Sequence, residues 1–147
     1  MILTFTVGCS GSGKTTWAKE EASLARDTVR VCPDELRAIV GKDESDQSKN
    51  FLVFQIAYAM TEYLLRQGFN VIFDATSYTK RARKTLVDIA RKTDSVCECV
   101  FFQTPIEVAK ARNSKRDRQV PESVIEKQVA GLEKPNEIEG FSIEYIN

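Results

Sequence analysis

The chain has 147 residues, 42% apolar and 29% charged, with 21 basic against 21 acidic side chains, the profile of one ordinary soluble domain with room for a real core. No apolar run approaches the roughly 18 residues of a membrane span, and no signal peptide opens the chain, so a cytoplasmic setting is expected. Histidine is absent, which excludes the commonest general base and leaves a carboxylate for that task near neutral pH.

Ile2–Val7 is a short β-prone run, and Lys14–Arg26 suits a helix. Between them stands Gly8-Cys9-Ser10-Gly11-Ser12-Gly13-Lys14-Thr15, which fits the phosphate-loop pattern of Gly, four residues, then Gly-Lys-Ser/Thr. Strand, glycine loop and helix together set this match apart from a glycine-rich turn with a chance lysine. Glycine lets backbone wrap closely around phosphate oxygens, and the helix presents its positive end to them. Gly8, Ser10, Gly11, Ser12, Gly13, Lys14, Thr15 and Thr16 are therefore expected to hold a nucleoside triphosphate. Lys14 would reach the β- and γ-phosphates, and the Thr15 hydroxyl would ligate Mg²⁺.

Thr28–Cys32 reads as a second strand and Pro33–Val40 as a helix, with proline at its first position. Asp34 and Arg37 then share one face of the first turn. They are either a capping ion pair or, in a kinase, a proton acceptor beside an anion-binding guanidinium; their place after a strand favours the second. Glu35 points elsewhere and is the weaker base. Gly41 to Asn50 is a polar, charged stretch expected to form a mobile loop beside the site. The helix Ser48–Gln67 follows, its Phe51, Phe54, Ala57, Tyr58 and Leu65 spaced for packing, with Gly68 as its stop.

The third strand, Asn70–Phe73, ends in Asp74, the Walker B arrangement. That carboxylate is either a turn former or a group that holds Mg²⁺ or orients the acceptor, and the phosphate loop favours the latter. Thr79–Lys92 is helical. Val96–Gln103 is a fourth strand, on which Cys97 and Cys99 share a face and are expected to be buried and reduced. The helix Pro105–Asp117 carries Arg112, Lys115 and Arg116, with Arg118 just beyond it. This cluster is either a solvated face or a closing lid, and the four-residue spacing of Arg112 and Arg116 marks them as the lid pair. A helix Pro121–Glu133 and a strand Phe141–Ile146 end the chain.

Alternating strands and helices predict an α/β domain of the P-loop NTPase type, 1–147. Its five-stranded parallel sheet would be flanked by helices on both faces and topped by a helical, arginine-bearing lid. Ligands of such sheets sit beyond the carboxyl ends of the strands, where the phosphate loop, Asp34, Asp74 and the arginine cluster all fall.

Three stretches then resemble one family, the P-loop kinases of the 5′-hydroxyl polynucleotide kinase type, and the likeness spans nearly the whole chain. They are Gly8 to Ala18 including Trp17, Asp34 with Arg37, and Arg112-Asn113-Ser114-Lys115-Arg116 followed by Val120-Pro121. Glu139-Gly140-Phe141 is similar to the family's last strand entry. Ser77 departs from it, standing where Asp-Ala-Thr-Asn would place asparagine. The resemblance implies transfer of the γ-phosphate of ATP to the 5′-OH end of RNA or DNA. Lys14, Asp34 and Arg116 would be catalytic, Arg112 and Arg116 would bind the donor, Arg37 would hold the acceptor's 3′-phosphate, and Asp74 would serve metal or acceptor. A small-molecule kinase of the same fold, or a nucleotide-dependent switch, would share the phosphate loop and differ beyond it.

Overall fold

Strand β1 (Ile2–Val7) lies at the centre of the sheet, with Leu3, Phe5 and Val7 fully buried on one side of it. Leu3 stands opposite Val71 of β3 (Asn70–Phe73) and Cys97 of β4 (Val96–Phe102), and Phe5 opposite Phe73 and Cys99. Because side chains alternate along a strand, these residues form one continuous apolar layer. β2 (Thr28–Val31) and β5 (Ser142–Ile146) complete the edges, giving five parallel strands in the order β2-β3-β1-β4-β5. The computed structural model describes every residue from Met1 to Asn147.

Parallel neighbours require crossovers, and helices supply them: α1 (Lys14–Leu24), α2 (Pro33–Val40), α3 (Asn50–Arg66), α4 (Lys80–Lys92), α5 (Ile106–Ser114) and α6 (Glu122–Ala130). From α4, Leu86, Val87 and Ala90 enter the core at helical spacing. Tyr58 of α3 stacks on Phe73 at 5.5 Å, and Phe141 meets Phe5 edge-on at 4.9 Å. On the opposite face Trp17 of α1 touches Phe102 edge-on at 6.0 Å. No helix is long and apolar enough to cross a membrane.

Each predicted strand and helix is present, and the differences lie at the ends and on one face. Helix α5 stops at Ser114, three residues before the expected Asp117. The buried Asn113 side chain accepts from the Val120 amide at 2.9 Å and donates to its carbonyl at 2.7 Å, which folds the chain back. Arg116 therefore lies in bends beyond the helix, and it shares no helical face with Arg112. Phe51, expected to pack, is 80% exposed. The buried positions of α3 are Val53, Ala57, Thr61 and Leu65, and Phe51 lies about 200° around the helix from Val53. Gly68 does end α3: its amide bonds to Leu65 and that of Phe69 to Leu64, the paired closure that a left-handed glycine permits. Cys97 and Cys99 are buried, and burial pushes both thiols up to about 12.

Candidate active site

The phosphate loop leaves β1 with its backbone under tight constraint. Gly11 has φ +83°, and a Cβ there would stand 2.3 Å from the carbonyl oxygen of Ala109 on α5, so only glycine fits. Gly13, at φ +101°, turns the chain into α1. The amides of Gly11, Gly13, Lys14, Thr15 and Thr16 find no acceptor in the chain. Unpaired donors grouped at a helix N-terminus make an anion cradle. The Ser10 amide is spoken for, since it donates to Gln128 Oε1 of α6 at 2.8 Å. The Ser12 carbonyl is held away from the cradle by Thr104 Oγ1 at 3.0 Å and Arg112 Nη1 at 3.3 Å.

Lys14 is buried, its Nζ donating to the Cys9 carbonyl at 2.7 Å and, more weakly, to Ser12 Oγ at 3.4 Å. Burial pushes its ammonium down to about 8; the charges of Asp74 and Asp34 oppose that, and Arg116 reinforces it. Three separate segments thus converge electrostatically on one lysine.

Asp74, at the carboxyl end of β3, is buried. Its Oδ2 takes Arg30 Nε at 2.9 Å and Nη2 at 2.7 Å, while Oδ1 makes no hydrogen bond. Arg30 also holds Glu35 at 2.7 Å, which ties Glu35 to the guanidinium that holds Asp74. Asp34 lies between two guanidiniums: Arg37 Nη1 on Oδ1, and Arg118 Nη2 on Oδ2 at 3.2 Å. The expected pairing of Asp34 with Arg37 is present. Arg37 is itself buried, donating to Asn50 Oδ1 at 2.9 and 3.3 Å with its guanidinium 5.9 Å from the centre of the Phe54 ring. Arg118 also reaches Glu44 at 3.1 Å, so the 41–49 loop does lie beside the site.

Behind Asp74, the segment 75–77 is pinned by groups that local sequence does not reveal. Thr6 Oγ1 of β1 donates to the Ala75 carbonyl at 2.8 Å and accepts from its amide at 3.2 Å. Ser77 adopts φ +42°, a left-handed conformation that asparagine enters more readily than serine. Arg83, wholly buried on α4, donates to the Ser77 carbonyl at 3.1 Å and grips both Glu139 oxygens at 2.8 and 3.0 Å.

The residues fit the ligands that the fold implies. Five free amides and a buried cation suit a polyphosphate. The half-exposed Thr15 hydroxyl and the uncommitted Asp74 Oδ1 suit Mg²⁺, which keeps several waters and binds few protein oxygens beside phosphate. No group of three or more His, Cys, Asp or Glu side chains is placed to hold a metal.

A parallel sheet in this order, a phosphate loop after β1, an acid after β3 and arginines between α5 and α6 define the P-loop kinase fold class. The chain belongs to the family described as AAA domain, whose profile matches residues 3–135. A relative, the L-seryl-tRNA(Sec) kinase of Methanococcus maripaludis, is 24% identical over 143 residues, covering 91% of this chain and 53% of that protein. Among solved structures, one chain of the Pnkp1/Rnl/Hen1 RNA repair complex has a TM-score of 0.79 and 28% identity over 89% of this chain and 43% of that one. A gluconokinase from Sinorhizobium meliloti has a TM-score of 0.65 and 18% identity over 97% and 81%, a likeness of fold alone. The chain thus spans about half the length of the curated relative it matches.

Proposed function

We propose that this chain transfers the γ-phosphate of ATP to the 5′-hydroxyl end of RNA or DNA. The observation that carries the reading is Asp34: a carboxylate with 47% of its side chain exposed, set between Arg37 and Arg118 on the acceptor side of the sheet. An open carboxylate flanked by guanidiniums suits a large anionic acceptor better than a closed sugar pocket does. One likeness lends support, since a structure this chain resembles belongs to an RNA repair complex.

In this reading the loop amides and Lys14 bind the β- and γ-phosphates, and Arg112 and Arg116 approach from the lid to meet charge on the transferring group. Mg²⁺, held by Thr15 with Asp74, would neutralise charge between the β- and γ-phosphates. Asp34 orients the 5′-hydroxyl and takes its proton as the oxygen attacks the γ-phosphorus in line and the bond to the β–γ bridging oxygen breaks, releasing ADP. Arg37, fixed by Asn50, holds the acceptor's adjacent phosphate with paired donors.

Labelled γ-phosphate from ATP is expected to appear on a 5′-OH oligonucleotide and not on gluconate. Transfer to the sugar alone would reject the polynucleotide reading. Asp34→Ala is expected to lower turnover by about 10²- to 10⁴-fold, the usual worth of a general base, with nucleotide affinity retained. Full turnover in that variant would remove Asp34 from the chemistry.

A further inference from the structure

The lid cations divide their work. Arg112 reaches the phosphate loop through the Ser12 carbonyl, and Arg116 acts on Lys14 electrostatically. Arg118 instead reaches Asp34 of α2 at 3.2 Å and Glu44 of the loop after it at 3.1 Å. We propose that Arg118 is the second arm of an anion site whose first arm is Arg37, and that it grips a phosphate carried by the acceptor. This rests on the function proposed above for the identity of the acceptor, and on the geometry alone for the site.

The two arms are built differently. Arg37 is buried and held by Asn50, Asp34 and the face of Phe54, so it is preset. Arg118 is 36% exposed and holds only two carboxylates that are themselves 47% and 42% exposed. Exposed ion pairs of that kind contribute little. A phosphate offers a guanidinium two parallel charge-assisted bonds, which are stronger. An arriving phosphate therefore draws Arg118 off Asp34 and frees the carboxylate for the hydroxyl.

A titration that needs no turnover tests this. With the phosphate loop saturated by ADP and Mg²⁺, nucleoside 3′-monophosphate and the matching unphosphorylated nucleoside are titrated into the full chain by calorimetry. Arg118→Ala is expected to weaken the monophosphate by about tenfold or more, as loss of a bond to a charged group does. The unphosphorylated nucleoside should lose less, so the ratio of the two affinities falls. Asp34→Asn, which frees both arms, should tighten the monophosphate several-fold, and Arg118→Ala in that background should remove the gain. Arg118→Lys should recover part of the affinity, since it keeps charge without the fork. Equal losses for both ligands, or none, would overturn the assignment. Should oligonucleotides prove to be no substrate while the titration behaves as described, the polynucleotide reading fails and the anion site stands, for a different phosphorylated acceptor.

Discussion

A buried ammonium facing its own loop carbonyl is costly to keep, and Lys14 shows the cost in its proton affinity. Its folded value is pushed down to about 8 from the ordinary 10.5, chiefly by burial. Between those two values the unfolded chain binds more protons, so stability rises with pH across that window. Below pH 8 both states are protonated, and the folded protein carries the full penalty of about 3 kcal/mol. A polyphosphate on the free amides supplies the missing counter-charge and restores the ordinary proton affinity. At pH 8.5, nucleotide binding is therefore expected to take up about 0.7 proton. Calorimetry in two buffers of different ionisation heat reads this directly. Lys14→Met should abolish the uptake and raise the melting temperature of the nucleotide-free protein. Binding without proton uptake would mean either that the Lys14 ammonium is not depressed in the free protein or that Lys14 does not meet the phosphates.

At the scale of elements, the acidic and basic groups split into those readable from sequence and those that only the fold assembles. Asp34 and Arg37 are three residues apart on a helix, so their pairing is visible in the spacing. Asp74 and the phosphate loop each follow a strand, so topology alone places them at one edge. Arg30 with Asp74, Asn50 with Arg37, Gln128 with Ser10 and Arg83 with Glu139 join segments 13 to 118 residues apart. No local period connects such partners, and a lone arginine in a helix reads as surface. The Arg83–Glu139 pair shows what that blindness hides. It ties α4 to the 3₁₀ turn at Glu137–Glu139 and, through the Ser77 carbonyl, to the segment after Asp74. Removing Arg83 leaves the largely buried Glu139 carboxylate, 15% exposed, without its counter-charge, at up to about 3–5 kcal/mol. Arg83→Leu should lower the urea midpoint by that much stability. Adding Glu139→Leu should return part of it, because the orphaned carboxylate is gone. A loss under about 1 kcal/mol would show that water reaches Glu139 and that the pair is a surface one in effect.

Taken whole, the molecule is neutral, with equal numbers of acidic and basic side chains, yet its proposed acceptor is a polyanion. The sheet resolves this by bringing a few guanidiniums to one edge while charges elsewhere cancel, as in Lys110 with Glu126 and Lys84 with Asp88. Affinity for a nucleic acid should then come from the end of the strand and not from its length. The salt dependence makes this measurable, since each phosphate neutralised on a single strand contributes about −0.7 to the slope of log affinity against log salt. Two arms, Arg37 and Arg118, on one phosphate predict a slope of about −0.7 and a loss of about two- to threefold between 50 and 200 mM salt. A dinucleotide and a 20-mer bearing the same 5′-OH end should behave alike. A slope steeper than about −3, growing with oligonucleotide length, would reveal a cationic track along the surface. It would also move recognition from the two arms at the sheet edge to the body of the domain.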